Sequence, residues 1–252
     1  MKYFFSLLFL VLSLSLSAQK KDTNSVVRTG FICQFTYDLN FPTADLKQRY
    51  GLFNGVGTGV YYKTGRNWIW GAEGSYLFGN SIKEVDLFDA FTDADGYAID
   101  HQGNRVEILA QMRGLRLFVK GGKIIPLGRN KNSGLMLSVG FGYMEHFIRA
   151  TNRSTTVAAL EGDLKFGYDR LASGFTMNQF VGYQFLDPRR RINFFAGVEF
   201  TQGYTQGRRA INFDTGLPGN EKRSDGSIGI RIGWLLPIYT GSALTSGGYK
   251  FR

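Results

Sequence analysis

The sequence between Ser25 and Tyr239 repeats one kind of unit eight times. Each unit is a stretch of about ten residues with an apolar or aromatic side chain at every second position, and it ends at glycine, asparagine, aspartate or proline. Alternation of this kind predicts a β-strand with one apolar face. Only a closed sheet leaves one face of every strand in lipid without unpaired backbone groups. The repeat therefore predicts a membrane-spanning β-barrel.

Eight strands are predicted from this repeat. They span approximately residues 27–39, 53–62, 67–78, 106–120, 135–147, 175–186, 192–201 and 227–239. The fourth changes phase after Arg113, where Leu115 and Leu117 move onto the face that held Arg113. Gly114 therefore predicts a β-bulge that absorbs one extra residue.

The connections between these strands alternate between long and short. The long ones are residues 40–52, 79–105, 148–174 and 204–226, and the short ones are 63–66, 121–134 and 187–191. Transmembrane barrels have short periplasmic turns and long extracellular loops, and an even strand number returns the chain to the periplasm. The predicted fold class is all-β: a closed eight-stranded antiparallel transmembrane β-barrel.

The N-terminus has the three parts of a secretory signal peptide. Lys2 gives a positive start, an apolar run follows as far as Leu16, and small residues end at Ala18. A membrane anchor is the alternative, although the run is short for a bilayer span. We therefore predict a signal peptide at 1–18, a periplasmic segment at 19–26, the barrel at 27–239 and a periplasmic tail at 240–252, which locates the protein in the bacterial outer membrane.

Composition supports this interpretation over its competitors. The chain contains 22 Phe, 13 Tyr and 33 Gly, which suits lipid-facing strands around a crowded lumen. A secreted β-sandwich would hide its apolar faces and would not need aromatic strand ends. The formal net charge is +10, but the aromatic residues alternate within strands and are not interleaved with Lys and Arg, so no nucleic-acid partner is predicted. Cys33 is the single cysteine, so no disulfide framework is predicted.

Eight strands leave an interior just wide enough for side chains to fill. Polar residues on the predicted inner faces form either a gated polar path or a network that plugs the lumen, and a charge without a partner there is heavily penalised. We predict the plugging network, with these members: Glu73, Arg113, Glu199, Arg231, Gln34 and Gln111.

The remaining residues include candidates for catalytic and metal sites. His101 lies beside Asp100, and His146 lies near the upper end of the fifth predicted strand, where a loop serine such as Ser154 is a candidate nucleophile. Neither histidine belongs to a motif of barrel enzymes, so no catalytic residue and no cofactor is predicted. The acidic residues from Glu84 to Asp100 lack the ligand spacing of an EF-hand loop, so no metal site is predicted.

Two basic groups are candidates for contact with other molecules. Arg189, Arg190 and Arg191 lie in a short turn, where they contact lipid headgroups or dock a periplasmic partner. Arg208 and Arg209 lie in the fourth long loop and are candidates for contact with lipopolysaccharide phosphates. The predicted partners are outer-membrane lipids, lipopolysaccharide and other envelope proteins.

The strand segments, the start at Ala18 and Gln19, and the closing stretch together resemble a known group of barrels. That stretch is Gly229, Ile230, Arg231, Ile232, Gly233 and Trp234. The chain resembles the small eight-stranded barrels of the OmpA and OmpX type, and more closely the PorT-like barrels of Bacteroidota. It departs from them in the tail after Tyr239.

This resemblance implies a non-enzymatic integral outer-membrane protein that is an accessory or structural subunit of an envelope assembly or protein secretion complex. Two alternatives remain open. One is a rim enzyme acting on lipid, and the other is a narrow channel or adhesin.

Overall fold

A computed structural model describes residues 27–93, 95–151, 157–187 and 192–240. Its ten strands are β1 (Gly30–Ala44), β2 (Phe53–Lys63), β3 (Trp68–Gly79), β4 (Tyr97–Ile99), β5 (Arg105–Glu107), β6 (Leu109–Pro126), β7 (Gly134–Thr151), β8 (Ala172–Leu186), β9 (Asn193–Gly207) and β10 (Lys222–Tyr239). Eight of them form a closed antiparallel barrel in the order β1, β10, β9, β8, β7, β6, β3, β2. β1 pairs with both β2 and β10, which closes the sheet. The predicted fold class is confirmed.

Side chains on the barrel strands alternate between an outer wall and the lumen. Wall side chains are large, apolar and exposed, with Trp70 at 56% and Val119 at 70% exposure. The opposite face points inward and carries the buried charged side chains, among them Glu199, which is only 2% exposed. This arrangement places apolar side chains outside and polar ones inside, which is the reverse of a soluble protein and typical of a transmembrane barrel.

Aromatic rings meet across neighbouring strands at both ends of the wall. Phe31 and Tyr62 lie 5.3 Å apart, centroid to centroid, near the end where β1 begins. Phe141 and Phe175 lie 6.2 Å apart nearer the other end. Aromatic girdles of this kind lie at the two surfaces of a bilayer.

The connections differ in length at the two ends of the barrel. The turns at the periplasmic end cover residues 64–67, 127–133 and 187–192, whereas the four outer loops cover 45–52, 80–108, 152–171 and 208–221. The first loop contains the helix α1 (Leu46–Arg49), the second a 3₁₀ helix (Val85–Phe91) and a β4–β5 hairpin, and the third two short 3₁₀ helices (Ala158–Leu160 and Leu164–Gly167). No helix within the described ranges has the length and hydropathy of a bilayer span.

Several barrel strands extend beyond their predicted limits at the outer end. β1 reaches Ala44 and β9 reaches Gly207, because backbone pairing continues after the apolar alternation has stopped. The predicted fourth strand, 106–120, begins inside β5, whereas the barrel strand β6 begins at Leu109. β4 has no counterpart among the predicted strands. The predicted signal peptide at 1–18, the segment at 19–26 and all but the first residue of the tail at 240–252 lie outside the described residues and stay predictions.

Candidate functional site

Six charged side chains meet in the middle of the lumen, and we call them the central cluster. The members are Asp38 on β1, Glu73 on β3, Arg116 and Lys120 on β6, Glu199 on β9 and Arg231 on β10. No side chain among them is more than 4% exposed. Because three are acids and three are bases, their formal charges sum to zero.

Arg231 lies at the centre of this cluster. Its Nη1 and Nη2 atoms lie 2.8 Å and 2.9 Å from the two carboxylate oxygens of Glu73. Nη1 also contacts Glu199, and Nε lies 3.3 Å from Asp38 Oδ1. Lys120 Nζ bridges the same two glutamates, 2.6 Å from Glu73 Oε1 and 3.2 Å from Glu199 Oε2. Glu73 therefore has two cationic partners, and Glu199 has three, because Arg116 Nη1 lies 3.7 Å from Glu199 Oε1.

Neutral side chains add hydrogen bonds around the charges. Gln34 Nε2 and the Tyr61 hydroxyl both donate to Glu73 Oε2, at 2.7 Å and 2.6 Å. Arg116 Nη2 donates to Asn40 Oδ1 at 3.1 Å. Buried ion pairs are tolerated only where such additional hydrogen bonds compensate for lost solvation.

The structure brings together four of the residues predicted to form the lumen network. Glu73, Glu199, Arg231 and Gln34 all lie in or against the central cluster. The cluster also contains three charged residues that the sequence interpretation did not select, and they are Asp38, Arg116 and Lys120.

Arg113 and Gln111 lie on the outer face of β6, so their predicted place in the lumen is wrong. β6 pairs with β3 and β7 in one unbroken register, and Gly114 forms no bulge. Arg113 therefore shares a face with Leu115, which is 40% exposed, and it donates a hydrogen bond to Gln111. The apolar alternation changes phase after Arg113 while the pairing register does not, so the sequence pattern indicated the wrong face for Gln111 and Arg113.

Glycines on neighbouring strands make room for the charged side chains. A Cβ at Gly140 on β7 would lie 2.5 Å from Lys120 Cγ. A Cβ at Gly59 on β2 would lie 2.7 Å from Glu73 Cβ. The narrow lumen therefore accommodates the central cluster only because these inner positions lack side chains.

Two apolar layers enclose the central cluster. The lower layer consists of Ile32, Tyr61, Ile69, Ile124, Met136, Phe180, Leu186, Phe195 and Leu235. The upper layer consists of Leu46, Tyr50, Phe53, Leu77, Leu87, Met112 and Ile148. The described side chains thus fill the lumen on both sides of the charges.

One charged residue from each outer loop joins a chain of ion pairs above the upper layer. We call Arg49, Glu84, Arg170 and Asp214 the cap chain. Arg49 Nε lies 2.6 Å from Glu84 Oε1, and Arg170 Nε lies 2.8 Å from Glu84 Oε2. Arg170 Nη2 pairs with Asp214, and Arg49 Nη1 donates to the Arg170 carbonyl at 3.1 Å. All four loops are therefore linked to one another.

Two features distinguish the arginines of the cap chain. Arg170 has a φ of 52°, a left-handed conformation that is uncommon for a residue other than glycine. Burial lowers the pKa of Arg49, but Tyr50 and Glu84 outweigh this effect and raise its pKa overall. The Arg49 guanidinium therefore remains charged where it joins the loops.

Aromatic side chains pack beside the cap chain. Tyr168 lies 5.1 Å from Phe91 and 5.7 Å from Phe213, in both cases edge to face, and 6.4 Å from Phe88. These contacts join the second, third and fourth loops. The outer end of the barrel is thus a single packed surface, which we call the cap.

His146 is buried beneath the cap and is 0% exposed. Its Nδ1 lies 3.1 Å from the Tyr50 hydroxyl, and its Nε2 lies 3.0 Å from Asp225 Oδ2. Thr205 donates to the same Asp225 oxygen. Ser154, the nucleophile considered for His146, lies outside the described residues. Both ring nitrogens already have partners inside the protein.

The acidic second loop folds around its own hydrogen bonds. Arg105 Nη2 lies 2.6 Å from Asp95 Oδ2 and also contacts Asp93. The Tyr97 N–H and Arg105 hold the pKa of Asp93 below its usual range. His101 lies 3.1 Å from Glu161 in the third loop. Over the ranges that the structure covers, no three His, Cys, Asp or Glu side chains are arranged to hold a metal ion.

The basic residues predicted to contact other molecules differ in their surroundings. Arg209 Nε donates to Asp169 Oδ1 at 2.9 Å, and its guanidinium lies 4.5 Å from the Phe166 ring. Arg208 is exposed and donates to Ser173 Oγ at 2.8 Å. The predicted docking residues Arg189, Arg190 and Arg191 lie outside the described residues.

The wall and the lumen together decide where the protein resides. A closed barrel with exposed apolar side chains outside and paired charges inside is stable only with its wall in lipid. This is an integral outer-membrane β-barrel protein. Its long loops and the cap belong to the outer end, and its short turns to the periplasmic end.

Comparisons with known proteins give similarities to solved structures alone, because the sequence matches no family model and no curated protein. The structure of Ail, the attachment invasion locus protein of Yersinia pestis, in complex with the heparin analogue sucrose octasulfate is 10% identical and has a TM-score of 0.44, covering 83% of this chain and 99% of Ail. Neisserial surface protein A is 8% identical with a TM-score of 0.40, covering 81% of this chain and 96% of its own. The N-terminal β-barrel domain of Pseudomonas aeruginosa OprF is 11% identical with a TM-score of 0.35, covering 83% and 100%.

Proposed function

We propose that the protein is a non-enzymatic accessory or structural subunit of an envelope assembly or protein secretion complex. The filled lumen is the observation that carries this proposal. The central cluster and the two apolar layers occupy the space through which a solute would pass. The remaining working surfaces are therefore the cap, the wall and the periplasmic turns.

A relation to the PorT-like barrels of Bacteroidota is part of the same proposal. It rests on the eight strand segments and on the closing stretch that contains Arg231 and Trp234. In this structure Arg231 holds the central cluster together, which gives the closing strand a structural role within the barrel.

The surroundings of the histidines support a role without catalysis. A general base needs a free ring nitrogen within reach of a substrate proton. In His146 both nitrogens are engaged and the ring is fully buried, whereas His101 pairs with Glu161 at the surface. If His146→Ala abolished an activity on lipid while the barrel folded normally, that result would instead favour the rim enzyme.

The proposal is tested by two measurements on the full-length protein. In planar bilayers we expect no large single-channel conductance. In mild detergent we expect envelope proteins to co-purify with the wild type and to be lost from an Arg170→Ala variant, because that change breaks the cap chain. Arg105→Ala is the matched control, since Arg105 pairs with Asp93 and Asp95 within the second loop alone. Large conductance steps, or a wild type that retains no envelope protein, would contradict the proposal.

An adhesin is the second candidate, and exposed apolar side chains on the cap favour it. Leu164 is 50% exposed, Phe213 43% and Leu217 60%, all in the third and fourth loops. Such side chains on an outer surface are typical of protein-binding sites. The test compares the adhesion of cells that express a Phe213→Asp variant with that of cells that express the wild type. Reduced adhesion supports the adhesin role, and unchanged adhesion supports the accessory role.

Contact with lipopolysaccharide is proposed for Arg208. Arg209 forms an ion pair with Asp169. Arg208, in contrast, is exposed and its two hydrogen bonds go to the uncharged Ser173, so its charge is available to a phosphate. We expect Arg208→Ala to lose the stability shift that lipopolysaccharide produces and Arg209→Ala to retain it. An unchanged shift in a variant lacking both arginines would remove this contact from the proposal.

A further inference from the structure

The outer wall carries an apolar groove of about 600 Å³ across β3, β6, β7 and β8. Trp68 and Trp70 form one rim, and Val181 lies at the other. The groove is deep at Gly121 because this residue has no side chain, and an added Cβ would lie 2.5 Å from the Trp70 ring. The groove therefore results from large side chains beside a residue that has none.

Two polar side chains of the outer face line this groove. The first is Lys123 on β6, whose Nζ lies 5.0 Å from the centroid of the Trp68 ring. The second is Gln179 on β8. It points outward midway between the wall aromatics Phe175 and Tyr183, which are four residues away on either side. Its half-buried amide makes no hydrogen bond with any residue in the described part of the chain. An unpaired amide is unfavourable in the hydrocarbon core, so whatever covers the groove must supply a hydrogen-bonding group.

We propose that this groove is an interface with a second copy of the chain. Two copies in one membrane share the same orientation, so their twofold axis is parallel to the membrane normal. A residue beside that axis meets its own counterpart at the same depth. Because a primary amide is both donor and acceptor, two Gln179 side chains satisfy each other there.

The shape of the wall around Gln179 fits the same arrangement. Gln179 pairs with Phe200 on β9, which lies on the side away from the groove and is 39% exposed. A twofold axis near Gln179 brings the Phe200 ring of each copy opposite the groove of the other. A lipid acyl chain in the groove would fill the space and leave the amide unpaired.

Cysteine cross-linking in the membrane tests this interface. In a Cys33→Ser background, which removes the single native cysteine, we expect Val181→Cys to form a disulfide-linked dimer. Val60→Cys is the matched control, because Val60 lies on β2 across the barrel and is 51% exposed compared with 45% for Val181. We expect Gln179→Leu to abolish cross-linking through Val181→Cys.

Barrel folding of every variant is checked by its heat-dependent mobility in detergent gels, and native mass measured in lipid nanodiscs gives the assembly without cross-linking. We expect a dimer for the wild type and a monomer for Gln179→Leu. Equal cross-linking of the two valine variants overturns the proposal, as does an undiminished dimer in Gln179→Leu. A wild-type monomer that retains bound lipid overturns it as well.

Discussion

The central cluster and the cap chain are both networks of ion pairs, but their surroundings differ. Side chains of the central cluster are at most 4% exposed, whereas Glu84 in the cap chain is 24% exposed. A buried charge depends far more on its partners than an exposed one, because water cannot replace a partner that is lost. Ion pairs are therefore expected to contribute more to the stability of the barrel interior than to the stability of the loops. This contrast leads to four predictions of decreasing effect.

The largest effect is expected for Arg231→Leu. This change leaves Glu73 and Glu199 short of a cationic partner inside the lumen, and losing one member of a buried ion pair costs about 3–5 kcal/mol. The measurement is the free energy of unfolding in urea. Arg113→Leu is the control on the outer face of β6, where we expect a change below about 0.5 kcal/mol. Comparable decreases in the free energy of unfolding for the two variants would mean that a charge in the lumen is no more important for stability than one on the outer face.

A steric change in the lumen is expected to follow. Gly140→Val places a side chain against Lys120, since a Cβ there would lie 2.5 Å from Lys120 Cγ. Overpacking of this kind costs about 1–3 kcal/mol, again measured as the free energy of unfolding. Ala196→Val adds similar bulk to the lipid-facing side of β9 and should be nearly neutral. A neutral Gly140→Val variant would show that the central cluster tolerates rearrangement.

The cap chain is expected to contribute less. Glu84→Gln weakens the pairs with Arg49 and Arg170, and such partly exposed pairs are worth about 1 kcal/mol or less. We expect faster proteolysis of the outer loops with an unchanged barrel, and a smaller difference between variant and wild type at high salt. As a check on the barrel, we expect the variant to unfold at the same urea concentration as the wild type. Loss of the barrel itself would show that the loops and the lumen form one cooperative unit.

The smallest effect concerns pH and the β4–β5 hairpin. Because the folded-state pKa of Asp93 lies below its usual range, the carboxylate stabilises the hairpin above that range, and the stabilisation is lost as pH falls through the lowered pKa. Hydrogen exchange of the Tyr97 N–H, which Asp93 accepts, should accelerate on acidification relative to neighbouring amides. In Asp93→Asn this pH dependence should disappear. Persistence of the effect in that variant would assign it to another acid of the second loop.

Alternation by itself determined a large part of this molecule. A period of two assigns every residue of a strand to one of two faces, so the inward position of Glu73, Glu199 and Arg231 followed from the residues around them. The same rule failed on β6. The phase change after Arg113 predicts an inward position for two polar residues, but the continuous register keeps Gln111 and Arg113 on the lipid-facing side.

Only the tertiary structure decided which inward residues meet. Closing the sheet brings β10 beside β1 and places Arg231 against Glu73, which is 158 positions away in the chain. The cap chain has the same origin, since Arg49 reaches the Arg170 carbonyl across 121 positions. Local patterns record the environment that one side chain prefers. The partners of a buried charge depend on how the strands close around it, and that information lies in the packing of the whole barrel.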